Sequence, residues 1–213
     1  VAQVNLLLLS WGFGAVPGFL ADTTGKSLSQ LTIGYIDDAK IPYADPSWAK
    51  PERDRLVRLG ATVVDLSGAR QERAEFATTI ERTDAVYVAG GNTFALLWAL
   101  RRAGAEQILD GRVREGLPYI GCSAGSVIAG PDISPVERMD DPGESPGPVD
   151  PHALGWIDTV PIPHADGQIP IYPPSMIESV RRDYGTDREL TMIADNEALL
   201  VRGTVRTLVA SAD

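Results

Sequence analysis

The sequence predicts an α/β fold, a doubly wound and mostly parallel sheet flanked by helices and closed by a C-terminal β-hairpin. Three observations carry that expectation. Five short apolar runs, Val4–Leu9, Leu31–Ile36, Ala61–Leu66, Ala85–Ala89 and Leu117–Cys122, are continuous rather than alternating, as in parallel strands buried on both faces. Amphipathic stretches lie between them. Near the end, Glu197–Val201 and Val205–Val209 flank the turn Arg202-Gly203, which reads as a hairpin.

Taken in order, the helical expectations are Lys50–Leu59, Ala69–Arg82, and Thr93–Arg102 continuing after Gly104 into Ala105–Arg114. Gly130–Pro151 holds Pro131, Pro135, Pro142, Pro146, Pro148 and Pro151 without a helical period and reads as a long functional or mobile loop. Apolar character resumes at Trp156–Ile162, a helix is expected over Ser175–Tyr184, and Leu190–Ala194 reads as a further strand. No repeat or low-complexity tract interrupts the pattern, so one domain spanning residues 1–213 is expected.

The 213 residues are 44% hydrophobic and 23% charged, a composition that buries a core and excludes disorder. With 19 Lys plus Arg against 29 Asp plus Glu, the net charge is −10, which disfavours a nucleic-acid partner. The run Leu6–Leu9 has no preceding basic residue and is too short to span a bilayer, so a cytoplasmic protein without membrane contact is expected. A homo-oligomer stays open. The lone Cys122 permits no internal disulfide, and with two separated histidines it offers no structural zinc site.

In open α/β sheets, chemistry sits just beyond the carboxyl ends of the strands. One such end reads Gly121-Cys122-Ser123-Ala124-Gly125-Ser126, a G-x-S-x-G between a strand and a small-residue helix. A serine held on a sharp turn needs neighbours without bulk, so that its hydroxyl projects. Amide donors at the helix start favour negative charge beside it, and the Ala124 N–H is the natural first oxyanion donor. A second strand end reads Ala89-Gly90-Gly91-Asn92-Thr93. Gly90 and Gly91 let a backbone amide approach a substrate, and Asn92 or Thr93 caps the next helix.

A nucleophilic serine needs a base, and only His152 and His164 are available. His164 ends an apolar run, whereas His152 sits in the Pro- and Asp-rich loop and reads as exposed. Elimination therefore favours His164. The acid that orients the imidazole stays open among Asp195, Glu197, Asp140 and Asp141. Cys122 occupies the wrong elbow position for a nucleophile.

G-G-N-T-F, then G-x-S-A-G-S about thirty residues on, then L-G-W-I-x(5)-P-H together resemble the peptidase E family of serine dipeptidases, which release N-terminal aspartate. The resemblance extends from Leu6-Leu7-Leu8-Leu9-Ser10 through Ile41-Pro42-Tyr43-Ala44 to Ala198–Gly203. It implies a fold like class I glutamine amidotransferases and flavodoxin, a Ser-His-acid mechanism, a small peptide substrate and no cofactor or metal. Carried over by motif, Ser123 is the nucleophile, His164 the base, and Gly91 with Ala124 the oxyanion hole, with Gly90 and Asn92 beside the substrate. The family's I-x-E-x-x-A-L pattern aligns Asp195 with its acid, one methylene shorter. Well-studied members carry an arginine after the histidine that reads the substrate aspartate, and Ile169–Met176 contains none. Arg138, Arg181 and Arg182 are the candidate replacements. A broader dipeptidase, an esterase, a cyanophycinase-like hydrolase and a non-enzymatic binding module are the competing readings. The cyanophycinase group has G-G-D-Q where this chain has Gly90-Gly91-Asn92-Thr93, which favours the dipeptidase.

Overall fold

The computed structural model describes residues 4–44 and 50–212. The elements, in chain order, are β1 (Asn5–Leu9), α1 (Val16–Thr24), β2 (Thr32–Ile36), α2 (Lys50–Arg58), β3 (Thr62–Leu66), α3 (Arg73–Ile80), β4 (Ala85–Val88), α4 (Thr93–Arg102), α5 (Ala105–Arg114), β5 (Tyr119–Cys122), α6 (Ala124–Val127), β6 (Val160–Ile162), α7 (Pro174–Tyr184), β7 (Leu190–Met192), β8 (Glu197–Arg202) and β9 (Val205–Ala210).

The main sheet runs β3-β2-β4-β5-β1-β8-β9. Its first five strands are parallel, while β8 is antiparallel to both β1 and β9. Every residue of β4 and β5 is buried, which explains their unbroken apolar sequences: a central strand covered on both faces has no solvent side to mark with polar residues. Successive side chains point to opposite faces, so Leu6 and Leu8 join the cluster under α3, α4 and α5. Leu7 and Leu9 join the other, packed against Phe19 and Leu20 of α1 and Leu56 of α2. The hairpin β8–β9 turns at Gly203, whose φ of 60° suits a residue without a Cβ.

Three features differ from the sequence expectation. Helix α1 lies in a Gly- and Pro-punctuated stretch, yet it carries Val16, Phe19 and Leu20 on one face, a proline in its first turn and a left-handed Gly25 at its end. Strand β7 stays out of the main sheet and pairs in parallel with β6. The segment 130–151 is anchored rather than loose: Ile133 and Val136 are buried, and Asp140 accepts from the N–H and hydroxyl of Thr93 at the start of α4. Among the described residues, no helix is long and apolar enough to cross a membrane.

Candidate active site

Four strand ends converge. In the β1–β5 ladder Leu9 pairs with Cys122, so Ser10 and Ser123 emerge side by side just past it. In the β6–β7 ladder Ile162 pairs with Met192, so His164 and Asp195 emerge together two and three residues on. Parallel register alone puts residues distant in sequence at one edge.

The turn at Ser123 is tight. Its N–H donates to Leu9 O (3.0 Å), and its φ of 48° and ψ of −109° lie where L-residues pay about 1–3 kcal/mol. Among the described residues only Ser123 and His164 combine a side chain with positive φ. The flanking glycines make the turn sterically feasible. A Cβ on Gly121 would lie 2.4 Å from Gly125 O, and one on Gly125 would lie 2.3 Å from Val88 O. Ser126 locks the arrangement by donating to Leu9 O (2.7 Å) and Gly121 O (2.9 Å). Because α6 is a single turn, it offers Ser123 the individual Ala124 N–H rather than a sustained helix dipole.

Ser123 Oγ lies 3.0 Å from His164 Nε2, and His164 Nδ1 lies 2.7 Å from Asp195 Oδ1. With the proton on Nδ1 directed at the carboxylate, Nε2 is left as acceptor for the serine hydroxyl. The imidazole is buried and stacks on Tyr172 (centroids 4.9 Å apart, planes at 15°). Burial works to raise the Asp195 carboxyl, but hydrogen bonds from His164 and Ser10, together with the electrostatic attraction of the imidazole, outweigh it and hold the group below its ordinary value.

Of the other acids considered from sequence, none bonds the imidazole. Asp140 is tied to Thr93, and Asp141 caps a short turn by accepting from Gly143 N. Glu197 accepts from Ala194 N. His152 is exposed and pairs with Asp150.

Gly90 faces the serine directly, since a Cβ there would lie 3.1 Å from Ser123 Cβ. Gly91 has φ of 141°, and a Cβ on it would lie 2.4 Å from Ala39 O, so this strip accepts only glycine without moving. Among the described residues, the N–H groups of Gly91 and Ala124 have no hydrogen-bond acceptor. Asn92 is fully buried and spent on structure: its oxygen caps α4 at Ala95 N, and its amide donates to Asp141 O and Glu144.

A cavity of about 750 Å³ opens over Ser123, His164, Gly90 and Gly91. Trp11, Phe13, Tyr43 and Ile169–Tyr172 make it largely apolar, and its charged lining among the described residues is Glu52 and Arg55 of α2. The arginines considered from sequence lie outside that lining: Arg138 and Arg182 both pair with Asp183, and Arg181 is exposed. Arg55 was not singled out because its helix reads as a solvated amphipathic surface. Ser10 was missed too. It is fully buried, donates to Asp195 Oδ1 (2.8 Å) and accepts from His164 N (2.7 Å), yet a lone serine after a strand carries no sequence signal. Among the described residues, no three His, Cys, Asp or Glu side chains gather as a metal site.

The model of peptidase family S51 matches residues 12–209. The chain is 32% identical to the uncharacterized peptidase Lin0382 of Listeria innocua serovar 6a, over 93% of this chain and 92% of that one. It is 34% identical to peptidase E of Streptomyces coelicolor, over 64% of this chain and 55% of that one. A solved Listeria monocytogenes EGD-e protein, described as a candidate peptidase E, superposes with a TM-score of 0.87 at 27% identity, covering 98% of this chain and 99% of the other. The chain belongs to peptidase family S51.

Proposed function

We propose that the protein is a serine dipeptidase that hydrolyses short peptides with N-terminal aspartate through an acyl-enzyme. The observation that carries the reading is the continuous relay from Ser123 through His164 to Asp195, with the serine on a strained strand-to-helix turn. His164 Nε2 takes the Ser123 proton as Oγ attacks the peptide carbonyl, and Asp195 stabilises the resulting imidazolium. The oxyanion is received by the N–H groups of Gly91 and Ala124, a type of donor worth on the order of 10²–10³ in rate each. The imidazolium then protonates the departing amine as the C–N bond breaks. Water, deprotonated by the same imidazole, cleaves the ester and returns the proton to Ser123.

An anionic protein acting on an acidic side chain needs a local cation. Arg55 lines the cavity and is assigned that role, in place of Arg138, Arg181 or Arg182. A broader dipeptidase is the second reading. It is favoured by the apolar wall Ile169-Pro170-Ile171-Tyr172, which offers an uncharged first side chain as good a surface as an acidic one.

Rates on a panel of Asp-X and Ala-X dipeptides and matched amino-acid esters test both. Asp-X leading by tenfold or more supports the first reading, equal peptide rates the second, and ester cleavage without peptide cleavage removes both.

A further inference from the structure

We infer that Glu52 receives the α-ammonium group of the peptide's first residue and so restricts cleavage to substrates with a free amino terminus; this rests on the dipeptidase reading above. The argument begins with charge. Among the described residues lining the cavity, Glu52 is the carboxylate, and an ammonium entering a largely apolar enclosure needs an anionic acceptor to replace its water.

Position supplies the second step. In any amino acid the α-nitrogen and the carbonyl carbon are two bonds apart, about 2.5 Å. A serine attacking the first peptide bond therefore needs the ammonium site immediately beside it. Glu52 lines the same cavity as Ser123 and Cys122, and its Oε1 accepts from Tyr87 OH (3.2 Å) on β4, the strand that leads into Gly90-Gly91. It thus lies on the wall of the cavity into which the candidate nucleophile and the oxyanion strip open.

The third step is preorganisation. Oε2 accepts from Tyr35 OH (3.3 Å), and the two phenols stack with centroids 5.7 Å apart. Tyr35 and Tyr87 are buried, so the carboxylate rests on a fixed wall with lone pairs left for a ligand. Lys40 donates to Tyr35 OH (2.9 Å) from within the wall. Burial pushes the Glu52 carboxyl above its ordinary value, against the lowering effects of Cys122, Lys40 and the two phenols. An arriving ammonium favours its ionised form, whereas an N-acylated peptide brings no charge to replace the water it displaces from the carboxylate. Sites built to pair a charged group reject analogues that lack it far more strongly than apolar pockets reject a change of size.

The experiment compares kcat/KM for an Asp-X dipeptide and its N-acetyl form in the wild type and in Glu52→Gln. The wild type is expected to prefer the free amine, and the preference is expected to fall roughly 10- to 100-fold in the variant, as for loss of one charge-assisted hydrogen bond. A folded Glu52→Gln that keeps the wild-type preference overturns the inference. If that variant does not fold, the wild type decides. Aspartic acid amide should inhibit at least ~10-fold better than its desamino counterpart, and equal inhibition overturns the inference. Labelling of wild-type Ser123 by a small fluorophosphonate separates the two levels: a labelled enzyme with no amine preference loses only the role of Glu52, and an unlabelled one loses the peptidase mechanism itself.

Discussion

Replacing Ser10 with alanine probes how the site is held rather than what it does. The hydroxyl serves both partners of Ser123 at once, accepting from the His164 backbone N–H and donating to Asp195 Oδ1. Alanine leaves that buried N–H without an acceptor, about 1–3 kcal/mol, and removes a hydrogen bond to an ionised carboxylate, about 1.5–3 kcal/mol. The Asp195 side chain is 17% exposed, so water replaces part of the second loss, and the expected destabilisation is about 2–4 kcal/mol. For a chain of this length that is a fall in Tm of about 4–16 °C. Turnover should fall about 10- to 100-fold with little change in KM, because a misdirected imidazole weakens attack more than binding. Ser10 is one of the groups that depress the Asp195 carboxyl, which gives the effect a pH signature. A depressed carboxyl contributes stability above its unfolded value near 3.9 and loses it as pH falls through the folded value. The Asp195 part of the gap between wild type and variant should therefore be full at neutral pH and vanish in strong acid. Urea titrations across pH, paired with steady-state kinetics, make the measurement. A variant within about 0.5 kcal/mol and threefold of wild type refutes the reasoning.

Gly91→Ala should lower kcat by on the order of 10²–10³ in a protein that still folds, because the new Cβ collides with Ala39 O and displaces the amide strip; near-normal kcat removes Gly91 from the oxyanion hole. Arg55→Ala should raise KM for Asp-X about 10-fold while leaving Ala-X within about threefold, and an unchanged selectivity ratio removes the arginine from substrate reading. Asp132 is held low against burial by Ser134 and Arg188. Asp132→Asn should cost about 1 kcal/mol at neutral pH, discounted for exposure, with the cost disappearing as pH falls through the depressed carboxyl value. A cost that persists in acid contradicts that assignment.

The fold was legible where burial left a local imprint. β1, β4 and β5 read as strands because both of their faces are covered, and β8–β9 because Gly203 marks the turn. α1 was hidden by glycines and a proline that also punctuate loops, although Pro17 and Gly25 are the residues that start and stop a helix. The separate pairing of β7 with β6 is a tertiary choice with no local signature. Within the site, Ser123 was marked by the glycines its strained turn requires, and His164 by the scarcity of histidine. Asp195 was set apart from three other acids in the sequence only by its place in the family's I-x-E-x-x-A-L pattern, since a carboxylate at a strand end reads the same whether or not an imidazole faces it. Ser10, Glu52 and Arg55 acquire their places through chain pairing and helix packing. The same packing explains why Arg138, legible as a cation, pairs with Asp183 instead of lining the cavity.

The central claim is that Ser123, activated by His164, forms a covalent acyl-enzyme with a small peptide. Mass spectrometry of the protein treated with a serine-directed phosphonate, followed by proteolytic mapping and a parallel dipeptide assay, tests it most directly. The account predicts one adduct, on Ser123, formed in step with loss of dipeptide hydrolysis and absent in Ser123→Ala. Full dipeptide turnover by Ser123→Ala, or inactivation that tracks modification of another residue, would contradict it.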